Sequence, residues 1–346
     1  MVRLQSVQES NQNLKATISG QIALFVGATS GIAFQTLTEY VRYSELPKVY
    51  IVGRNEAALE KIVGGLKTVN EKGTYVPIVS QISLLRNVDG VCEEVKRKEG
   101  SLDLLVMAPG YLKVKRIDNE EGLEDTMSLR YYARMRFIHN LLPLLSSSPN
   151  PRVVSIQGAG KEGRLNESDL ELKHNYSFMN GAVHTNTMNT LALQQLSLAN
   201  PSISFLHVFP GLVLTGAFAT TAATWYFPLR FLFLYVVLPL TRPFTVSLQE
   251  TGERNLFHAT SARYPPPPSS MKNNPHSGGG VALPKGVEVA RGPDKKVGSG
   301  CYLVDWNGEI VTSNEKLLEE YRRKDTGRRV WEHTLEIFER VVAGRS

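Results

Sequence analysis

The sequence predicts an α/β fold: a doubly wound, mostly parallel sheet with helices on both faces. Three observations carry it. Short apolar runs bounded by Gly or Pro alternate with helical patterns over the first two-thirds of the chain. These runs are apolar throughout rather than alternating, as in strands buried on both faces. The first of them ends in a glycine turn that opens directly into a helix.

Taken in order, "IALFVGA" (22–28) is the first strand, and "GIAFQTLTEYVRY" continues as a helix. "KVYIVG" is the second strand, followed by "NEAALEKIVGGL", a helix with acids in its first turn. "TYVPIVS" is the third strand, "VDGVCEEVKRK" a helix and "LDLLVMA" the fourth strand. "LEDTMSLRYYARMRFIHNLLPLL" makes a long helix closed by Pro143 and the "SSSPNP" loop, and "RVVSIQ" and "SISFLHVF" are strands flanking a helix from about 177 to 199. Near the end, "CYLVDWNGEIV" reads as two short strands about an Asn-Gly turn, and "RVWEHTLEIFERVV" as an amphipathic helix.

Domain boundaries follow composition. Residues 1–20 form a polar N-terminal segment without the apolar stretch of a secretory signal. Residues 21–263 hold the sheet domain, with an apolar lid at about 214–245. Residues 264–300, with "YPPPPSSMKNNPHSGGG" and "GPDKKVGSG", read as a flexible insertion without a core. Residues 301–346 return as strand, turn, strand and helix on the main domain.

The chain carries a formal charge of +6, but the excess is spread along it. Only "RRKDTGRR" (322–329) is densely basic, and no aromatic-rich motif accompanies it, so nucleic acid is excluded as a partner. Two cysteines, Cys92 and Cys301, make neither a disulfide framework nor a metal site and suit the reducing cytoplasm. The block "TWYFPLRFLFLYVVLPL" (224–240) is shorter than the ~20 residues of a span and is broken by Pro228, Arg230 and Pro239. Three readings stand for it: a lid over a lipophilic small-molecule substrate, a peripheral contact with an intracellular membrane, or a homo-oligomer interface.

The turn "VGATSGIAF" carries the cofactor expectation. Gly27 permits the tight bend, and Gly31 lets the backbone approach a pyrophosphate on the helix N-terminus. Arg54, after the second strand, stands where an acid would hold a free ribose hydroxyl, and a guanidinium suits a 2′-phosphate. NADP(H) is therefore the expected cofactor.

At this point the chain resembles the short-chain dehydrogenase/reductase family over roughly residues 20–260. The family's T-G-x3-G-x-G is similar to "VGATSGIA", with Thr29, Ser30 and Ile32 completing the turn. Its N-N-A-G is similar to "MAPG", where Gly110 is kept, and its P-G motif to "FPGLVLTG", with Pro210, Gly211, Val213 and Thr215. Gln81 takes the place of an aspartate that holds the adenine. The stretches "RVVSIQGAGKEG" and "GSGCYLVDW", with the Pro-rich insertion, are similar to a branch common in fungal secondary-metabolite pathways.

The resemblance implies a Rossmann sheet and a Ser, Tyr, Lys and Asn tetrad, which here is degenerate. Gly158 falls in the serine slot and Arg130 in the asparagine slot. Tyr176 is the candidate proton-transfer group, and four residues on comes Asn180, not lysine, to grip the ribose. Arg130 supplies charge to an alkoxide or binds an acidic substrate. His184 and Lys161 lie nearby, with structural and solvated roles as their plainer readings, and Ser155 falls inside a strand. The expected function is an NADP(H)-dependent oxidoreductase acting on the carbonyl or alcohol of a bulky lipophilic metabolite. The alternatives are a non-redox isomerase, dehydratase or cyclase on the same scaffold, and a catalytically silent nucleotide-binding protein.

Overall fold

The structure is a computed structural model that describes all residues except 112, 215–225, 233, 236–244, 269–279 and 345–346. The chain opens with α1 (Leu4–Gln12) and α2 (Leu14–Thr17), then runs β1 (Ile22–Val26), α3 (Gly31–Tyr43), β2 (Lys48–Gly53), α4 (Glu56–Val69), β3 (Thr74–Val79), α5 (Leu85–Lys98) and β4 (Leu104–Met107). A long helical segment follows in three parts: α6 (Asp125–Met127), a π-helical turn over Ser128–Tyr132, and α7 (Ala133–Ser146). Beyond it come β5 (Arg152–Ile156), α8 (Phe178–Ala199), β6 (Ser204–Val208), α9 (Phe227–Leu232), α10 (Leu248–Thr260), β7 (Cys301–Val304), α11 (Glu315–Arg323) and α12 (Thr326–Ala343).

The strands form one parallel sheet in the order β3-β2-β1-β4-β5-β6-β7. Alternate residues sort to its two faces. Ala23, Phe25, Ile51, Val106 and Val154 pack with Leu37 and Tyr40 of α3 and Leu256 of α10. Leu24, Val26, Met107 and Val153 pack with Val88 of α5, Phe137 of α7, Leu191 of α8 and Phe338 of α12. Register aligns Val26 with Met107, Met107 with Ser155 and Ile156 with Val208, so the loops leaving β1, β4, β5 and β6 converge on one edge. The strand order reverses between β1 and β4, where sheets of this kind open a ligand crevice.

Three expectations need correction. The long helix ends where the "SSSPNP" loop begins, but Pro143 lies inside its last turn, which runs on to Ser146, rather than closing it. The polar N-terminal segment is built into the domain: Val2, Val7 and Leu14 are buried, and Asn11 Nδ2 donates to Glu253 Oε2 of α10 at 2.6 Å. The described part of 264–300 is packed rather than loose. Val281 and Ala290 are buried, Ala262 and Val281 exchange backbone bonds with their neighbours, and Pro267 fits against Gly300. Proline and glycine here supply shape for close packing, which composition alone does not distinguish from mobility.

The basic run at 322–329 is a solvated face in which Arg328 pairs with Asp325 and Glu332, and Arg329 with Glu167. The lid expectation at 214–245 falls largely outside the described residues. Within the described part, Tyr226, Phe227, Phe231 and Tyr235 are exposed, and the Phe231 and Tyr235 rings stand 4.8 Å apart. Among the described residues no helix is long and apolar enough to cross a membrane.

Candidate active site

A cleft of about 430 Å³ lies at the carboxyl edge of the sheet. It begins at the turn after β1. Gly27 has φ +77°, and a Cβ there would meet the Pro109 backbone at 2.8 Å, so glycine is required twice over. Gly53 is held close as well, since a Cβ would lie 2.4 Å from Thr29 Cγ2. The turn and the ends of β2 and β4 are thereby pressed together. Ser30 begins α3 without a side-chain cap, leaving the first N–H groups of the helix for a ligand. Gly27, Thr29, Ser30, Gly31 and Ile32 all line the cleft. These residues fit a dinucleotide phosphate.

Arg54 also lines this end and is exposed. Gln81 does not line it: it faces solvent and donates to Ser83 Oγ at 3.3 Å, while its neighbours Ser80, Ile82 and Ser83 form the wall. Gly110 and Pro210 line the cleft. Gly211, with φ +82°, sits instead against Val246 and Trp306, and Val213 is buried. Thr215 lies outside the described residues.

The far end is built around Arg130. The π-helical turn carries its side chain across Gly110, where a Cβ would lie 2.9 Å from Arg130 Cγ. Arg130 Nε donates to Thr185 Oγ1 at 3.2 Å and Nη2 to Asn186 Oδ1 at 3.3 Å. Gln157 Nε2 donates to the same Asn186 oxygen at 2.9 Å. A Cβ on Gly158 would meet both polar atoms of the Asn186 amide at 2.7 Å. The glycine in the serine slot is thus the space that Asn186 fills. Burial pulls the Arg130 guanidinium down to about 10, which still leaves it charged at neutral pH.

The helix residues singled out from sequence lie elsewhere. The Tyr176 hydroxyl donates to the Lys113 carbonyl at 2.9 Å, and burial pushes its pKa up to about 12. Asn180 is exposed and donates to the Asn175 carbonyl at 2.7 Å. Neither is among the described residues lining the cleft, so the proposed proton and ribose contacts do not find their groups there. The part of α8 that meets Arg130 lies more than a turn further on, at Thr185 and Asn186. His184 is buried and accepts from the Asn166 N–H, Lys161 rests over the Phe209 ring, and Ser155 is buried within β5.

Sequence reasoning missed four contributors. Gln157 and Tyr111 line the cleft, each beside a residue that was named. The Tyr111 hydroxyl bonds Asp125, and burial first, then that carboxylate, raises its pKa while the Arg54 charge opposes. Arg134 also lines the cleft, although it is buried, and donates to Met107 O, Ser155 Oγ, Ile156 O and Pro109 O. Its only sequence signal was its place four residues after Arg130. His207 of β6 is fully buried, accepts from the Gly158 N–H at 3.1 Å and contacts Thr190 Oγ1, which reaches Glu162. Burial drops the His207 pKa to about 3, so the ring is neutral, with Nε2 as the acceptor.

The comparisons agree with this architecture. The model of the short chain dehydrogenase family matches residues 21–224. The oxidoreductase AN1596 of Emericella nidulans is 41% identical over 343 residues, covering 99% of each chain. The oxidoreductase andH of Emericella variicolor is 37% identical over 99% of this chain and 98% of its own. Among solved structures, L-sorbose reductase from Gluconobacter frateurii, complexed with NADPH and L-sorbose, superposes with a TM-score of 0.55 at 18% identity, covering 71% of this chain and 91% of that one. The glycine turn, the strand order and these matches lead to one assignment: the chain belongs to the short-chain dehydrogenase family.

Proposed function

We propose that the protein is an NADP(H)-dependent oxidoreductase acting on the carbonyl or alcohol of a bulky lipophilic metabolite in a secondary pathway. The observation that carries this reading is the single cleft joining the uncapped α3 N-terminus to the Arg130 guanidinium. The α3 amides and the Gly27–Ile32 turn would hold the diphosphate, and Arg54 the 2′-phosphate. The bound nicotinamide would supply or take the hydride.

The residues of this chain supply the electrostatics. Arg130, fixed by Thr185 and Asn186, brings a positive charge to the substrate end of the cleft, where it stabilises negative charge on the bound substrate. Gln157, which lines the cleft, holds the same Asn186 oxygen and so fixes the amide that Arg130 leans on. His207 holds the Gly158 amide and so fixes the end of β5 beneath them.

Arg54→Ala is expected to weaken NADPH about tenfold, ~1.4 kcal/mol, with little change for NADH, because the guanidinium is exposed and a charged hydrogen bond there is partly screened. Fluorescence titration with both nucleotides checks this.

The reaction itself is tested with deuterium-labelled NADPH and a panel of cyclic and aromatic ketones. Label is expected in the product, and Arg130→Gln is expected to lower kcat on the order of 10²–10³-fold. Tyr176→Phe is expected to stay within a few-fold of wild type, since its hydroxyl serves the Lys113 carbonyl. Turnover without transfer of label sinks the redox reading and favours a non-redox reaction on the same scaffold.

A further inference from the structure

Arg130 and Arg134 are an unusual pair. Both line the cleft, they lie one helical turn apart, and neither forms an ion pair among the described residues. Arg134 is 2% exposed, and each of its hydrogen-bond partners among the described residues is a neutral oxygen. Its Nε is buried with no partner among the described residues. Arg130 spends Nε and Nη2 on Thr185 and Asn186, which leaves Nη1 free for a ligand. Buried charges are ordinarily paired, and two like charges side by side raise the cost. The two are near enough for the Arg130 charge to oppose that of Arg134.

Arg152 shows that carbonyl oxygens alone can seat one buried guanidinium, but it stands away from the cleft, whereas this pair opens on a space that an anionic ligand can enter. The α3 N-terminus follows β1, whereas the pair lies over the ends of β4 and β5, up to two strands away, or ~10 Å at ordinary strand spacing. A diphosphate resting on the α3 amides leaves this end of the cleft for the nicotinamide and the substrate beside it. Forked guanidinium donors match a planar pair of anionic oxygens.

Resting on the oxidoreductase reading above, we infer that Arg130 and Arg134 form an anion subsite, and that the substrate carries a carboxylate, or an equally charged enolate, beside its reacting carbon. The acid group docks against the free Nη1 of Arg130, with the buried Arg134 adding field from beneath. The lipophilic remainder of the substrate extends toward the mouth of the cleft. Neutral ketones of the same size bind without this anchor.

The probe is oxamate, with uncharged oxamide as its control, titrated calorimetrically into wild-type protein saturated with NADPH. Oxamate is expected to bind at least tenfold more tightly than oxamide. Arg130→Gln, which keeps an amide donor but loses the charge, is expected to remove that difference while holding NADPH affinity within about twofold. A measurement without any variant accompanies it: oxamate, and not oxamide, is expected to slow phenylglyoxal modification of Arg130, read by peptide mass spectrometry. Equal binding of oxamate and oxamide to the NADPH complex, or failure of oxamate to protect Arg130, overturns the inference. Loss of NADPH affinity in Arg130→Gln, in step with loss of oxamate, assigns the pair to the phosphates of the cofactor and overturns it too. Failure of wild type to bind NADPH at all sinks the oxidoreductase reading instead, so the two failures are distinguishable.

Discussion

Gly27→Ala is expected to abolish measurable NADPH binding and to lower the melting temperature by several degrees. The residue has φ +77°, where an L side chain is strained by ~1–2 kcal/mol. The added methyl would also lie 2.8 Å from the Cα and N of Pro109. Backbone cannot swing aside as a side-chain tip does, so overpacking adds another ~1–3 kcal/mol. Relief comes by pushing the β1 turn away from the β4 end, which spreads the amides proposed to hold the phosphates. The contrast is Gly64→Ala in α4, where nothing lies within 4 Å and the helix gains propensity. Differential scanning fluorimetry of both variants, with and without NADPH, reads the comparison. A Gly27→Ala protein that still shows a full NADPH-dependent shift removes the glycine turn from the site.

The second large effect is acid sensitivity. His207 and His258 are fully buried, and burial first, then nearby arginines, lowers both to about 3. The unfolded chain holds the same imidazoles near ~6.5. Below that value the unfolded state binds protons that the folded state refuses, so stability is complete above ~6.5 and is lost as the pH falls toward 3. From pH 7 to pH 5 each ring costs ~2 kcal/mol, or ~4 kcal/mol for the pair. Against a typical total of ~5–15 kcal/mol that is a large share. His139, His184 and His333 are lowered in the same direction and add to it. Urea midpoints at pH 7 and pH 5 are expected to differ accordingly. His258→Phe should flatten the profile, because both His258 ring nitrogens are buried without partners among the described residues, and the ring packs edge-on to Tyr264. A variant with the full acid loss shows that other groups carry it.

The alternation of β1–α3–β2–α4–β3–α5–β4 was legible because its strands are short apolar runs with Gly or Pro at their ends. The glycine-turn end of the cleft was legible for a related reason: "VGATSGIAF" places backbone-specific residues, and backbone demands write themselves into sequence as glycines. The reacting end was not. Between Gly158 and Phe178 the chain runs without helix or strand, so spacing from β5 gave no register for α8. Tyr176 was found by residue type, yet its hydroxyl faces Lys113. Asn186, which fills the volume beside Gly158, carries no periodic signature. Arg134 carried no signal beyond its place four residues after Arg130, because a helix buried on several sides offers no polar stripe to contrast with it. The Pro-rich segment misled in the opposite sense, since prolines that fit against Gly298 and Gly300 look from sequence like prolines in a linker.

The anchoring of the first residues has a consequence for how this chain is made. The Val2 N–H donates to the Asn307 carbonyl, and Arg254 Nη1 donates to the Val2 carbonyl. Both of these partners are translated long after the residue that needs them. At ~5–20 residues per second, the opening segment waits about 15–60 s on the ribosome for its seat to emerge. β7 closes the sheet only in the same late interval, so the nascent β6 edge stands open until then.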